Sequence, residues 1–170
     1  ADHLLALGHT RLAVVGGRRA HLYSQARVDG FRSAVADAGL ELPDNRVVHT
    51  DWKRPSAREH ATALLGATDR PTGIFACSDT MAIGVFDAAD ALGLRIPDDV
   101  SVVGFDDLPE GQWARPALTT VRQPIAEMGE AALRMLLRIS ADPPRHAPRE
   151  ELATTLVVRG STRPLGELPG

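Results

Sequence analysis

Short apolar runs alternate with longer amphipathic stretches through most of the chain. Arg11–Gly16, Gly73–Cys77 and Val100–Phe105 are apolar without alternation, the pattern of strands buried on both faces. A weaker run, Arg46–Thr50, lies between the first two. The runs start roughly thirty residues apart, the size of a βαβ unit. Ser24–Ala38 predicts a helix with Ala26, Phe31, Ala34, Val35 and Ala38 inward and Gly39 as its stop. Pro55 opens a second helix that turns Ala57, Ala61, Leu64 and Leu65 inward. The third starts at Ser78-Asp79-Thr80, all able to cap, and buries Met81, Val85, Ala88, Ala89 and Leu92 before Gly93. This rhythm predicts an α/β fold: a parallel sheet with helices on both faces.

Beyond Phe105 the pattern changes. Asp106–Pro116 reads as a polar connection and Leu118–Val121 as a short strand. Ile125, Met128, Ala132, Met135, Leu136 and Ile139 form an apolar stripe at helical spacing. Ala141–Arg149 is expected to be a loop, Leu152–Arg159 a last strand, and the tail from Pro164 frayed. Asp2–His9 reads as the last two turns of a helix stopped by Gly8, as in a piece of a longer protein.

Composition adds bounds. With 170 residues, 44% apolar and 24% charged, the chain matches a soluble globular protein of about one domain. No apolar run approaches the roughly 18 residues of a membrane span, and the N-terminus lacks a signal-peptide layout. The lone Cys77 fits a reducing, cytoplasmic compartment. Net charge is −3 and Lys53 is the only lysine. A DNA-gripping domain needs clustered positive charge, so this stretch is not expected to touch DNA itself.

In an open parallel sheet, ligands bind beyond the carboxyl ends of the strands. The segments there are Gly16–Ser24 with Arg27, then Asp51–Arg54, Ser78–Thr80 and Asp106-Asp107. Tyr23, Arg27, Trp52, Ser78 and Asp106 would line one rim. Trp52 offers a flat surface to a sugar ring or a purine. Arg27 supplies fixed donors and Asp106 acceptors for hydroxyl pairs. Each also has a plainer reading: partial packing for Trp52, a surface ion pair for Arg27, a turn cap for Asp106-Asp107. Gly16-Gly17 hints at a phosphate loop, yet the spaced glycines and the Lys-Ser/Thr pair are missing, which favours a tight turn. No His pair has metal-ligand spacing with a carboxylate partner, so neither a zinc site nor a cofactor is expected. Met81, Ile83, Val85 and Trp113 fit either a buried helix or a flat dimer surface anchored by Trp113.

Several blocks resemble the lactose/galactose-repressor (LacI/GalR) family of bacterial transcriptional regulators. They are Leu7–Gly16, Arg27-Val28-Asp29-Gly30-Phe31, Cys77–Gly84, Pro97–Asp107 and Pro116–Pro124. The resemblance runs from about residue 3 to 163. It implies a periplasmic-binding-protein-like fold of type I, two lobes around an effector cleft. Residues 1–9 would end a helix of the N-terminal lobe, and 10–120 would form the C-terminal lobe. Residues 121–163 would supply a crossover, an N-lobe helix and the final strand, with 164–170 a tail and the DNA-binding headpiece absent. Arg27 and Asp106 match the family's effector-binding arginine and aspartate, and Trp52 its stacking aromatic. Ser78 stands where many members have Asn, and Tyr23 and His21 fall in the variable loop. The third helix and the Trp113 segment match the family's dimer interface.

The reading is therefore an effector-sensing, dimerising part of a transcriptional regulator, and not an enzyme. A sugar is the first expected effector, a purine or nucleoside the second. The partners would be a second copy and, through the absent headpiece, operator DNA; no membrane is involved. The alternatives are a periplasmic sugar-binding protein of a transporter and a Mg²⁺-dependent phosphotransfer domain using Asp106, Asp107 and Lys53.

Overall fold

A computed structural model describes residues 1–141 and 148–166. The elements run α1 (Asp2–Ala6), β1 (Leu12–Gly16), α2 (Leu22–Asp37), β2 (Val47–His49), α3 (Arg54–Gly66), β3 (Gly73–Ala76), α4 (Asp79–Ala91), β4 (Ser101–Asp106), α5 (Pro109–Trp113), β5 (Thr119–Arg122), α6 (Ile125–Ala141) and β6 (Thr155–Val157). The described strands form one sheet in the order β2-β1-β3-β4-β5-β6. β1 to β5 are parallel and β6 is antiparallel to β5. Right-handed crossovers place α2 on one face and α3 and α4 on the other. In agreement, α3 packs along α4, and α1 packs on α2. The core lies where these layers meet, with Val14, Val15, Ile74, Met81, Val85 and Val102 fully buried.

α3 buries the four residues its pattern predicts, with Pro55 in its first turn. α2 differs. Its core face is Ser24, Val28, Phe31 and Val35. Ala26 and Ala34, expected inward, instead line a groove of about 470 Å³ together with Gly30, Phe75, Val103 and the start of α1. The alanine spacing marks a second apolar face, which periodicity alone does not separate from the core. Leu92, also expected inside, is exposed just past the end of α4. The polar connection after Phe105 contains the unpredicted short helix α5, opened by Pro109.

The predicted last strand shortens to β6. The chain then turns back, and Ser161 fills the sheet beside the start of β4. Its carbonyl accepts from the Val102 N–H, and its hydroxyl donates to the Val102 carbonyl. Pro164–Gly166 are not frayed: Leu165 N–H donates to the Leu7 carbonyl at 2.8 Å. Residues 167–170 of the expected tail, and 142–147 of the expected loop, lie outside the described residues.

The dimer-surface expectation needs a correction. Met81 and Val85 have no exposed surface at all, being packed inside the chain's own core. They cannot meet a second copy, and a charge placed on them would test folding rather than association. Ile83 is half-buried on the outer side of α4, and Trp113 is 72% exposed. α6 is apolar on one side yet buries only Ala131 among the described residues. Ile125, Leu133, Leu136 and Leu137 on it are exposed.

Candidate functional site

The rim at the carboxyl ends of β1 to β4 collects the expected residues from three successive loops and the first turns of α2. Arg27 reaches across from α2. Its Nη1 donates to the Cys77 carbonyl at the end of β3, 2.8 Å away. Its guanidinium lies 3.8 Å above the centre of the Phe105 ring on β4. Stacking on an aromatic face holds the planar cation while leaving most of its donors free. Tyr23 stands on the other side, its ring centre 6.0 Å from the same guanidinium.

Trp52 lies in the loop after β2 with its backbone at φ 72°. That left-handed conformation is uncommon for a bulky residue. Its N–H donates to Thr50 Oγ1, and Thr50 N–H in turn donates to the Gly16 carbonyl at the end of β1. The indole rests on Gly17. A Cβ there would come within 1.9 Å of Trp52 Cε2. Gly17 is therefore the seat of the indole, a more specific role than the tight turn expected for the Gly16-Gly17 pair. The indole N–H donates to His21 Nδ1 at 3.0 Å, and the Tyr23 hydroxyl contacts the same nitrogen at 2.7 Å.

Asp106 ends β4 with φ 118°, and Asp107 follows with φ 60°. With Trp52, these are the non-glycine residues of positive φ among the described residues. Backbone strain of this kind costs roughly 1–3 kcal/mol per residue and concentrates at functional loops. Asp106 Oδ1 accepts from Gln123 Nε2 at 2.7 Å. Burial pushes its carboxyl above the usual range, while the nearby Arg27 charge and the Gln123 hydrogen bond pull it back. Asp106 thus stands within electrostatic reach of the Arg27 guanidinium.

Asp107 does something else. Its oxygens accept from Arg122 Nε at 2.6 Å and Arg159 Nη2 at 2.5 Å. Only 5% of its side chain is exposed. It ties the end of β4 to the end of β5 and to the chain returning from β6. That corrects the phosphotransfer alternative, because the carboxylate expected to share a Mg²⁺ with Asp106 is already engaged by two guanidiniums. Lys53, the proposed partner of that chemistry, sits beside Asp51 at 3.6 Å.

Ser78 caps α4, its hydroxyl accepting from Met81 N–H at 3.2 Å, and is buried. Of the expected rim residues it turns most toward local structure. Next to it, Asp79, which the sequence presents only as a possible cap, is fully enclosed. Its Oδ1 accepts from the Thr120 hydroxyl at 2.5 Å and its Oδ2 from Leu108 N–H at 2.7 Å. Gly104 on β4 makes room for it, since a Cβ there would lie 2.2 Å from Asp79 Oδ1. Burial pushes the Asp79 carboxyl up to about 6, against the pull of the Thr120 and Leu108 hydrogen bonds.

That shift has a definite sign. Between about pH 4 and 6 the folded chain keeps a proton that the unfolded chain releases, so this group's contribution to stability falls as pH rises through that window. The full difference is on the order of 3 kcal/mol. Asp79→Asn cannot lose that proton. Its stability relative to the parent should therefore grow between pH 4.5 and 7.5 in paired thermal melts. An equal difference at both pH values would contradict a buried, proton-holding Asp79.

The neighbours of these residues carry signals that the sequence does not display. Phe105 reads as an interior strand residue, and Gln123 as part of a strand-to-helix turn. Only three-dimensional placement puts one under Arg27 and the other against Asp106.

Among the described residues no group of His, Cys, Asp and Glu is arranged to hold a metal ion. No described helix is long and apolar enough to cross a membrane. The periplasmic binding protein-like domain family matches residues 1–162. The HTH-type transcriptional regulator DegA of Bacillus subtilis is 38% identical over 165 residues, 97% of this chain and 49% of the regulator. The chain thus spans about half the length of that relative. A transcriptional regulator CelR–cellobiose complex superposes with a TM-score of 0.89 at 32% identity, covering 94% of this chain and 49% of that one. A LacI family transcriptional regulator from Enterococcus faecium with bound ribose superposes at 0.82 and 30% identity, covering 96% and 60%. The chain belongs to the periplasmic binding protein-like domain family.

Proposed function

We propose that this chain is the effector-sensing part of a LacI-type transcriptional regulator, binding a small neutral polyol at the rim formed by Arg27, Trp52 and Asp106. The observation that carries this reading is the convergence itself. A cation rich in donors on α2, an aromatic surface in the loop after β2 and a carboxylate at the end of β4 stand at one end of the sheet, and two of the three side chains hang from strained backbone. Arg27 and Asp106 offset each other's charge, which suits an uncharged ligand. Hydroxyl pairs fit the carboxylate, and the C–H face of a sugar fits the indole. Cellobiose and ribose in the two structural neighbours support a sugar. A purine or nucleoside is the second candidate. Tyr23, His21 and Ser78 complete the proposed site.

In this reading residues 10–120 form one lobe and residues 1–9 end a helix from the other. Residues 121–163 cross between them, and the uncovered apolar side of α6 is what a helix seated on a second lobe would present. An effector that binds one arrangement of the lobes better than another shifts their equilibrium. The shift would act on operator DNA through a helix-turn-helix segment outside these residues. The protein would work in the cytoplasm as a homodimer, with Ile83 and Trp113 on the shared surface. Asp substitution at Ile83 and Trp113 together should move the full-length protein toward monomer in sedimentation velocity, and an unchanged profile would remove that surface.

A binding role fits better than catalysis, since Asp107 serves as a structural tie. The names of the matched relatives favour a regulator over a transporter's periplasmic receptor. The test is calorimetry of the full-length protein with pentoses, disaccharides and nucleosides. Trp52→Ala should weaken the binding found there by about 1–3 kcal/mol, the usual scale of an aromatic anchor. Unchanged affinity would take Trp52 out of the site.

A further inference from the structure

We infer that His21 is the positioning residue of this site, holding the Trp52 indole in place through a hydrogen bond to its Nδ1. The inference deepens the effector reading above and takes its purpose from it. An indole N–H can only donate. At 3.0 Å from Trp52 Nε1, His21 Nδ1 must therefore be the acceptor and carries no proton of its own. The ring is then the neutral tautomer with its hydrogen on Nε2. The Tyr23 hydroxyl lies 2.7 Å from the same nitrogen and shares its single lone pair with the indole N–H.

Ring geometry agrees. The His21 and Trp52 planes are within 15° of parallel, with centres 6.2 Å apart. Two rings that far apart yet joined by a short N–H···N contact meet edge to edge, as an in-plane hydrogen bond requires. Tyr23 leans on the indole at 5.1 Å between centres and on His21 at 5.2 Å. Gly17 limits the indole from beneath. Gly17 stops the ring from sinking, but it does not stop rotation about the side-chain bonds of a residue in an open loop. His21 supplies that restraint, because turning the indole breaks its hydrogen bond, the one polar contact of the ring among the described residues. The N-terminal residue of the restraint is itself placed by the fold, since His21 stands at the start of α2 and its N–H donates to the Arg18 carbonyl.

The test reads the indole N–H in the ligand-free full-length protein by nuclear magnetic resonance. The exposed Trp113 on α5 serves as the internal reference. In the parent, the Trp52 indole signal should show scalar coupling to His21 Nδ1 across the hydrogen bond. His21→Leu should shift that signal and speed its exchange with water by about tenfold, the factor one ordinary hydrogen bond supplies. His21→Asn places an oxygen near the lost Nδ1 and should restore slow exchange. Trp113 should not respond to either change. Unaltered exchange of the Trp52 signal in His21→Leu, or equal loss in the Leu and Asn variants, would overturn the inference. No effector enters this measurement, so its outcome is separate from that of the calorimetry. Where a pentose or disaccharide binds the parent, affinity should fall in His21→Leu and recover in His21→Asn.

Discussion

Gly17→Ala is expected to reduce effector affinity by about 100-fold, close to 3 kcal/mol, while leaving the fold intact. The added methyl group would touch no ligand. It would enter the space of the indole, whose Cε2 and Cζ2 lie 1.9 and 2.1 Å from the new carbon. One of the two must move. The Gly17 backbone is held, because its carbonyl accepts from His49 Nδ1 at 3.0 Å and the neighbouring Gly16 carbonyl accepts from Thr50 N–H. The indole is the freer partner, and moving it breaks the His21 contact and pushes the ring into the rim. The effect should therefore match or exceed truncation of Trp52 itself. Calorimetry with the effector, paired with a thermal melt, separates the two consequences. Retained affinity would mean that the indole is not where the ligand sits.

Asp107→Ala should lower stability by about 3 kcal/mol and the melting temperature by roughly 10 °C for a domain of this size. Most surface ion pairs contribute well under 1 kcal/mol, so burial decides this one. Asp107 is 5% exposed and Arg159 16%, whereas Arg122 is 56% exposed. Losing the carboxylate strands the Arg159 guanidinium with the Leu118 carbonyl as its remaining partner. It also frees the ends of β4 and β5, where Asp106 and Gln123 sit. The loss stays at the low end of the range for a broken buried pair because Arg122 can turn to water. Asp106→Asn, at the adjacent position that ends β4, should change stability far less. A loss below about 1 kcal/mol for Asp107→Ala would show that the pair behaves as a surface contact.

These two neighbours illustrate what the sequence displays and what it hides. The strands and the helices between them were legible because burial on both faces leaves unbroken apolar runs at βαβ spacing. The carboxyl-end rule then pointed to the strand ends around which Arg27, Trp52 and Asp106 stand, and their role toward an effector is the proposal made above. The difference between Asp106 and Asp107 was not legible. Both are acidic and adjacent, and which one is tied into the sheet depends on backbone angles and on arginines 15 and 52 positions away. Gly17 looked like turn chemistry because its neighbour in space is 35 residues on. Met81 and Val85 looked available for association because a helix between two layers is apolar on more than one side. Periodicity reports how many faces are apolar but does not say whether the chain itself covers them. Asp79 hid for a related reason: an acidic residue at a helix start is ordinary capping chemistry, and its enclosure depends on the missing side chain of Gly104.

The most direct test of the account is calorimetric titration of the full-length protein with the tightest-binding sugar or nucleoside, run in parallel on Arg27→Ala, Trp52→Ala and Asp106→Asn. Each substitution is predicted to weaken binding by about tenfold or more without loss of the folded state. Unchanged affinity in all three would place the ligand elsewhere and contradict the proposed sensor.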